Sequence, residues 1–233
     1  MAKLFVKSVF LHVPKTGGTA IRNYIVDHHD TCEFRICASH DITLSNIMKD
    51  VAVVVTRDPL ERFCSGFWSR KNYHLRQSLD SDNQYKKYQR PGGQSYTDFE
   101  KDILSKCATP DELLSLLRTD SKTQQALSIS KSPLELLLRS LTYWLGDLET
   151  FKQQEHKVSL AFDMAQMTPI MLRYFNADLS YQDAFVRRSK DQFGFAQSYE
   201  VSNENVSWFT NSYRAEDYQL TNYIKQQFYF KSI

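Results

Sequence analysis

Short apolar runs separated by polar segments recur along this chain, and they predict strands. They cover residues 4–11, 34–38, 51–56 and 157–162. The run at 51–56 reads VAVVVT, and its β-branched residues follow one another without alternation. That pattern is typical of a strand buried on both faces of a parallel sheet. Because these strands alternate with helical segments, we expect an α/β fold.

The segments between these runs carry signals for helices. A helix is predicted from Ile21, and Pro59 fits the first turn of another because its missing N–H group costs nothing there. Residues 213–228 predict a final helix, Gly146 a helix end, and the polar stretch 76–94 a loop. Capping boxes predict three further helix starts, at Thr97 with Glu100, Thr109 with Glu112, and Ser132 with Glu135.

The connection between the first strand and the first helix has the composition of an anion site. It reads HVPKTGGTA, residues 12–20. The first N–H groups of a helix have no partner within it, and the helix dipole adds partial positive charge there. Gly17 and Gly18 allow the backbone to close around a phosphate or sulfate, and Lys15 adds a full charge. Because Lys15 precedes the glycines, this is not a Walker loop, in which lysine follows the last glycine.

A second strand-to-helix junction carries an arginine and a serine. Arg57 follows the strand at 51–56 directly, and Ser65 lies eight positions later, near the same helix face. A guanidinium fork and a hydroxyl suit a phosphate monoester. The alternative is a structural junction in which Arg57 pairs with Asp58 or Glu61.

These two segments, in this order and each after a strand, resemble the phosphate motifs of sulfotransferases that use PAPS (3′-phosphoadenosine-5′-phosphosulfate). The uronyl 2-O-sulfotransferase group is among them. The resemblance implies a P-loop-like three-layer sandwich, with a central parallel sheet flanked by helices, and no metal. It implies that Arg57 and Ser65 hold the 3′-phosphate and that Lys15 is catalytic at the leaving phosphate. The residues implied at the 5′ end are Lys15, Thr16, Gly17, Gly18, Thr19 and Ala20.

The same resemblance implies the reaction and its partners. A sulfuryl group passes from PAPS to an acceptor hydroxyl, carbohydrate being the favoured acceptor, and PAP (3′-phosphoadenosine-5′-phosphate) is the product. A general base is also implied, and His40 is our candidate because it lies upstream of Arg57, as the base histidine does in the 2-O-sulfotransferase group. Imidazole accepts a proton near neutral pH. His12 and Glu33 are the alternatives, and a structural role for His40 stays open.

Composition and charge narrow the class of protein. The 233 residues, 42% of them hydrophobic, suit one domain over residues 1–233. The net charge of +2 lacks the basic excess of a general nucleic-acid binder. The sequence has no apolar stretch of about 18 residues for a membrane span and no signal-peptide pattern. The four cysteines lack metal-site spacing, so we expect reduced thiols in a cytoplasmic protein.

Two other functions stay open at this level. A nucleotide kinase with a variant P-loop would depend on ATP and Mg²⁺, and the sequence lacks the Walker-type lysine and acidic metal ligand that it needs. A non-catalytic module would bind PAP without turnover. The lysine at position 15 and the histidine at position 40 favour an enzyme over such a module.

Overall fold

The computed structural model describes residues 8–28, 35–36, 42–48, 51–79, 97–129, 139–179 and 199–229. The strands are β1 (Ser8–Leu11), β2 (Arg35–Ile36), β3 (Val51–Thr56) and β4 (Val158–Asp163). The α-helices are α1 (Gly18–Asp27), α2 (Pro59–Leu79), α3 (Asp98–Lys106), α4 (Pro110–Thr119), α5 (Ser121–Ile129), α6 (Thr142–Leu145), α7 (Leu148–Gln154), α8 (Met167–Phe175), α9 (Asn203–Trp208) and α10 (Ala215–Phe228). Short 3₁₀ turns lie at 44–46, 155–157 and 164–166, and one π-helical turn at 209–213.

The chain divides into two compact units. The sheet unit comprises Met1–Pro59, Ser140–Gly194 and Arg214–Ile233, and the helical unit comprises Leu60–Arg139 and Phe195–Tyr213. All four strands belong to the sheet unit, whereas the elements described in the helical unit are helices. One domain over the whole chain stays a prediction.

The four strands form a parallel sheet in the order β2-β1-β3-β4. Phe10 of β1 lies beside Val53 of β3, which lies beside Leu160 of β4. Neighbours in register point to the same face, and here they pack with Ile21 of α1 and Met171 of α8. The strand predicted at 51–56 is confirmed, and the fourth begins one residue later than predicted, at Val158.

Helix α10 covers the other face of the sheet. Val54 and Thr56 point to that face because they alternate with Val53 and Val55 along β3. Tyr229, directly after α10, bonds to the side chain of Thr56. Helices therefore lie on both faces of a parallel sheet, and the predicted α/β fold is confirmed.

A buried carboxylate fixes α10 within the sheet unit. Asp217 is fully buried, and it accepts hydrogen bonds from the N–H groups of Leu141 (2.6 Å) and Thr142 (3.3 Å) and from the hydroxyl of Ser140. These donors lie at the start of α6, so the carboxylate caps that helix. Arg214 places its Nε 3.8 Å from the second carboxylate oxygen.

Several helix predictions are confirmed, and one loop prediction is partly wrong. Pro59 begins α2, and Thr97 forms the predicted capping box with Glu100, whose N–H group lies 3.2 Å from the Thr97 hydroxyl. Residues 76–79 continue α2 instead of forming a loop, because good helix formers stand there and no Gly or Pro interrupts them. The rest of that predicted loop, to residue 94, and the capping box at Ser132 lie outside the described residues.

Candidate functional site

The loop after β1 and the turn after β3 lie side by side. β1 and β3 are adjacent and parallel, so their carboxyl ends meet at the same end of the sheet. Ligands of open parallel sheets bind at that end. The candidate site therefore lies in the sheet unit, between residues 12–20 and residues 56–58.

The β1–α1 loop turns sharply into the helix. Lys15 and Gly17 both have left-handed backbone angles, φ 68° and φ 89°. Thr16 lies buried between them, and its hydroxyl donates to the carbonyl of Val13 at 2.9 Å. Helix α1 begins at Gly18, three residues before the predicted start, with Gly17 as its N-cap. Gly17 has no side chain with which to cap this end, and the N-terminus of a helix is a position that suits an anion.

Both glycines are needed for close packing. A Cβ atom at Gly17 would lie 2.7 Å from the sulfur of Met167, and Gly17 also has the left-handed backbone that glycine favours. A Cβ atom at Gly18 would collide with the imidazole ring of His12. The ring of His12 therefore lies directly against the N-terminus of α1.

We predict that Gly18→Ala lowers the free energy of unfolding by about 1–3 kcal/mol, because the added methyl group overlaps the His12 ring. In a His12→Ala background the same substitution should be neutral or stabilising, since alanine is the better helix former. Denaturant unfolding of the four proteins in this cycle measures the effect. An equal loss in both backgrounds would show that the ring is not the obstacle.

The backbone of Lys15 is left-handed, a conformation that is unfavourable for residues other than glycine. A non-glycine residue in the left-handed region costs about 1 kcal/mol relative to glycine. Its side chain is half-buried at the candidate site. Strain of this kind is typical of functional positions, where the side chain is required for another reason.

Arg57 connects the two sequence motifs. It follows β3 directly and is half-buried, and its Nη1 donates a long hydrogen bond of 3.4 Å to the carbonyl of Lys15. The guanidinium therefore lies beside the β1–α1 loop. This contact places two candidate residues, 42 positions apart in sequence, at one site.

The other predicted site residues lie in α1, in α2 or outside the described residues. Thr19 is exposed and Ala20 is buried in the first turn of α1. Ser65 is half-buried in the second turn of α2, in the helical unit. His40 and the alternative base Glu33 lie outside the described residues.

Two tyrosines that the sequence analysis did not single out reach the turn after β3. The hydroxyl of Tyr229 bonds to that of Thr56, and the hydroxyl of Tyr218 donates to a carboxylate oxygen of Asp58 at 3.5 Å. Both come from the α10 segment, more than 150 residues later. No local sequence signal identifies such a pair, because only the packing of α10 on the sheet brings it here.

The described part of the chain contains neither a metal-binding cluster nor a membrane-spanning helix. No cluster of three or more His, Cys, Asp or Glu side chains suited to a metal ion occurs among those residues. None of the helices described is long and apolar enough to cross a membrane. Cys64 and Cys107 are buried free thiols.

Sequence comparison supplies the family. A parallel α/β sheet with a helix N-terminus at its carboxyl end is an arrangement that suits an anionic ligand. A sequence profile of the sulfotransferase family matches residues 6–229, nearly the whole chain, so the chain belongs to the sulfotransferase family. It is a transferase that moves sulfuryl groups to a hydroxyl-bearing acceptor. No curated protein and no solved structure matches the chain significantly.

Proposed function

We propose that this protein transfers the sulfuryl group of PAPS to a hydroxyl group of a carbohydrate and releases PAP. The observation that carries the proposal is the contact of Arg57 with the carbonyl of Lys15, which unites the two phosphate motifs. The family generally uses PAPS, and a helix N-terminus such as that of α1 suits an anionic 5′ end.

The β1–α1 loop is the proposed 5′-phosphosulfate site. Its backbone has left-handed angles at Lys15 and Gly17, and turns of this kind occur in loops that bind oxyanions. Lys15 adds the full charge that neutralises the leaving phosphate as the bond to the sulfuryl group breaks. The remaining members of this proposed site are Thr16, Gly18, Thr19 and Ala20.

Arg57 and Ser65 are the proposed 3′-phosphate site. A guanidinium binds a phosphate through paired, charge-assisted hydrogen bonds, and a hydroxyl group adds another donor. This contact distinguishes PAPS from nucleotides without a 3′-phosphate. Support for Arg57 comes from its position beside the loop, and support for Ser65 comes from the sequence motif alone.

The acceptor hydroxyl must lose a proton as it attacks, and we assign that task to His40. The assignment rests on the resemblance to the 2-O-sulfotransferase group, as does the carbohydrate acceptor. His12 is the alternative for which the structure gives a position, with its ring against Gly18. A cytoplasmic location also stays a prediction.

Calorimetric titration of the full chain with PAP, beside ADP and ATP with Mg²⁺, tests the donor site. We expect tight PAP binding and little response to ADP, because only PAP carries the 3′-phosphate. No PAP binding, or a preference for ATP with Mg²⁺, would overturn the proposal and favour a kinase.

Labelled PAPS and a panel of polysaccharides then test transfer, and PAP binding without transfer would favour a non-catalytic module.

A further inference from the structure

The turn that carries Arg57 is held on both sides by hydroxyl groups from α10. Thr56, directly before Arg57, bonds to Tyr229, and Asp58, directly after it, accepts from Tyr218. Residues 218 and 229 are three helical turns apart and therefore lie near the same face of the α10 segment. One helix face thus contacts both neighbours of the proposed phosphate-binding arginine.

The hydroxyl of Thr56 has two hydrogen-bond partners, Tyr229 and Phe162. Thr56 is fully buried, and its hydroxyl donates to the carbonyl of Phe162 in β4 at 3.4 Å. A threonine hydroxyl has one proton, so when Thr56 donates to Phe162, Tyr229 is the donor in the second bond. Burial raises the pKa of Tyr229 and outweighs the lowering by the bond to Thr56, and the nearby carboxylate of Asp163 raises it further, so the phenol keeps its proton at neutral pH.

Tyr218 makes the second contact with this turn, at Asp58 on the other side of Arg57. The Asp58 carboxylate accepts a long hydrogen bond of 3.5 Å from the hydroxyl of Tyr218. Both residues are half-buried. Both belong to the sheet unit, in which Asp217 fixes α10 by capping α6. The two hydroxyls therefore come from a helix whose own position is fixed.

We propose that Tyr218 and Tyr229 are positioning residues that hold Arg57 in the orientation needed to bind the donor's 3′-phosphate. This inference rests on the function proposed above for Arg57. The tyrosines bond to the side chains of Thr56 and Asp58, on either side of Arg57, and Arg57 makes the contact with the nucleotide. Their loss should weaken recognition of the 3′-phosphate selectively.

Calorimetry on Tyr218→Phe and Tyr229→Phe tests this, with PAP and adenosine 5′-phosphate as probes. We expect each substitution to reduce the PAP affinity about fivefold, as the loss of one hydrogen bond predicts, and to leave adenosine 5′-phosphate affinity unchanged. Thr56→Val removes the acceptor of Tyr229 and should give the same selective loss. In an Arg57→Ala background none of the three should change PAP affinity further.

Tyr223→Phe is the matched control. Tyr223 lies on the same helix, and its hydroxyl donates to Glu155 at 2.7 Å, away from residues 56–58. Its loss should leave the ratio of the two affinities unchanged. Thermal melts of all variants separate loss of folding from loss of recognition, and Tyr218→Phe, at a half-buried position, tests the inference even if Tyr229→Phe unfolds the chain.

The outcomes separate this inference from the proposed function. If the native chain does not prefer PAP over adenosine 5′-phosphate, the donor-site proposal fails with it. If the native chain prefers PAP and Arg57→Ala abolishes that preference, but the tyrosine variants keep it, only the positioning role is overturned. Equal losses for both nucleotides in the tyrosine variants would mark a purely structural role and would also overturn it.

Discussion

Replacement of Lys15 by alanine should reduce kcat for sulfuryl transfer about 100- to 1,000-fold, the loss expected when a group that stabilises transition-state charge is removed. The ammonium is proposed to neutralise the leaving phosphate, whose charge is larger in the transition state than in the bound donor. The effect should therefore fall mainly on kcat, with a smaller effect on PAP affinity. Transfer of label from PAPS measures it.

The backbone at position 15 offers a sharper variant. Lys15→Gly removes the ammonium but suits the left-handed angle of φ 68°, so its folding stability should match that of the native chain within about 1 kcal/mol. Lys152→Ala is the control, since this lysine of α7 pairs with Glu149 at 2.8 Å and lies in the same unit. Retained turnover in Lys15→Gly would remove Lys15 from the reaction.

Replacement of Arg57 by alanine should weaken PAP binding about 100-fold and leave the affinity for adenosine 5′-phosphate nearly unchanged. The guanidinium is proposed to bind the 3′-phosphate through charge-assisted hydrogen bonds, each worth about 1.5–3 kcal/mol. Calorimetric titration with the two nucleotides measures the difference. An intermediate loss is expected for Arg57→Lys, which keeps the charge but not the paired geometry.

Arg173→Ala controls for the change in net charge. Arg173 is exposed on α8, where its guanidinium lies over the ring of Tyr174, 5.4 Å from the centroid. Its removal changes the net charge of the sheet unit by the same amount, so this variant shows how much of the loss comes from net charge alone. If Arg57→Ala weakened both nucleotides alike, Arg57 would not recognise the 3′-phosphate.

Local sequence patterns predicted the elements that frame the site. The apolar run at 51–56 forms β3 over those residues, and the capping box at Thr97 starts a helix, because short-range periodicity and capping govern both. The glycines at 17 and 18 indicated the β1–α1 loop, because glycine allows the backbone to turn tightly between a strand and a helix. Element boundaries depend on more than polarity, and α2 extends through residues 76–79, where the polar composition predicts a loop.

The sequence by itself therefore determined the α/β class, the strand-to-helix loop and the arginine after β3, since each depends on residues close together in the chain. Only the tertiary structure decided which groups meet at the site. The adjacency of β1 and β3 brings Arg57 to Lys15, and the packing of α10 brings Tyr218 and Tyr229 to the turn after β3. Such contacts join residues 42 to 173 positions apart, and they form only when buried faces pack together, which no local pattern specifies.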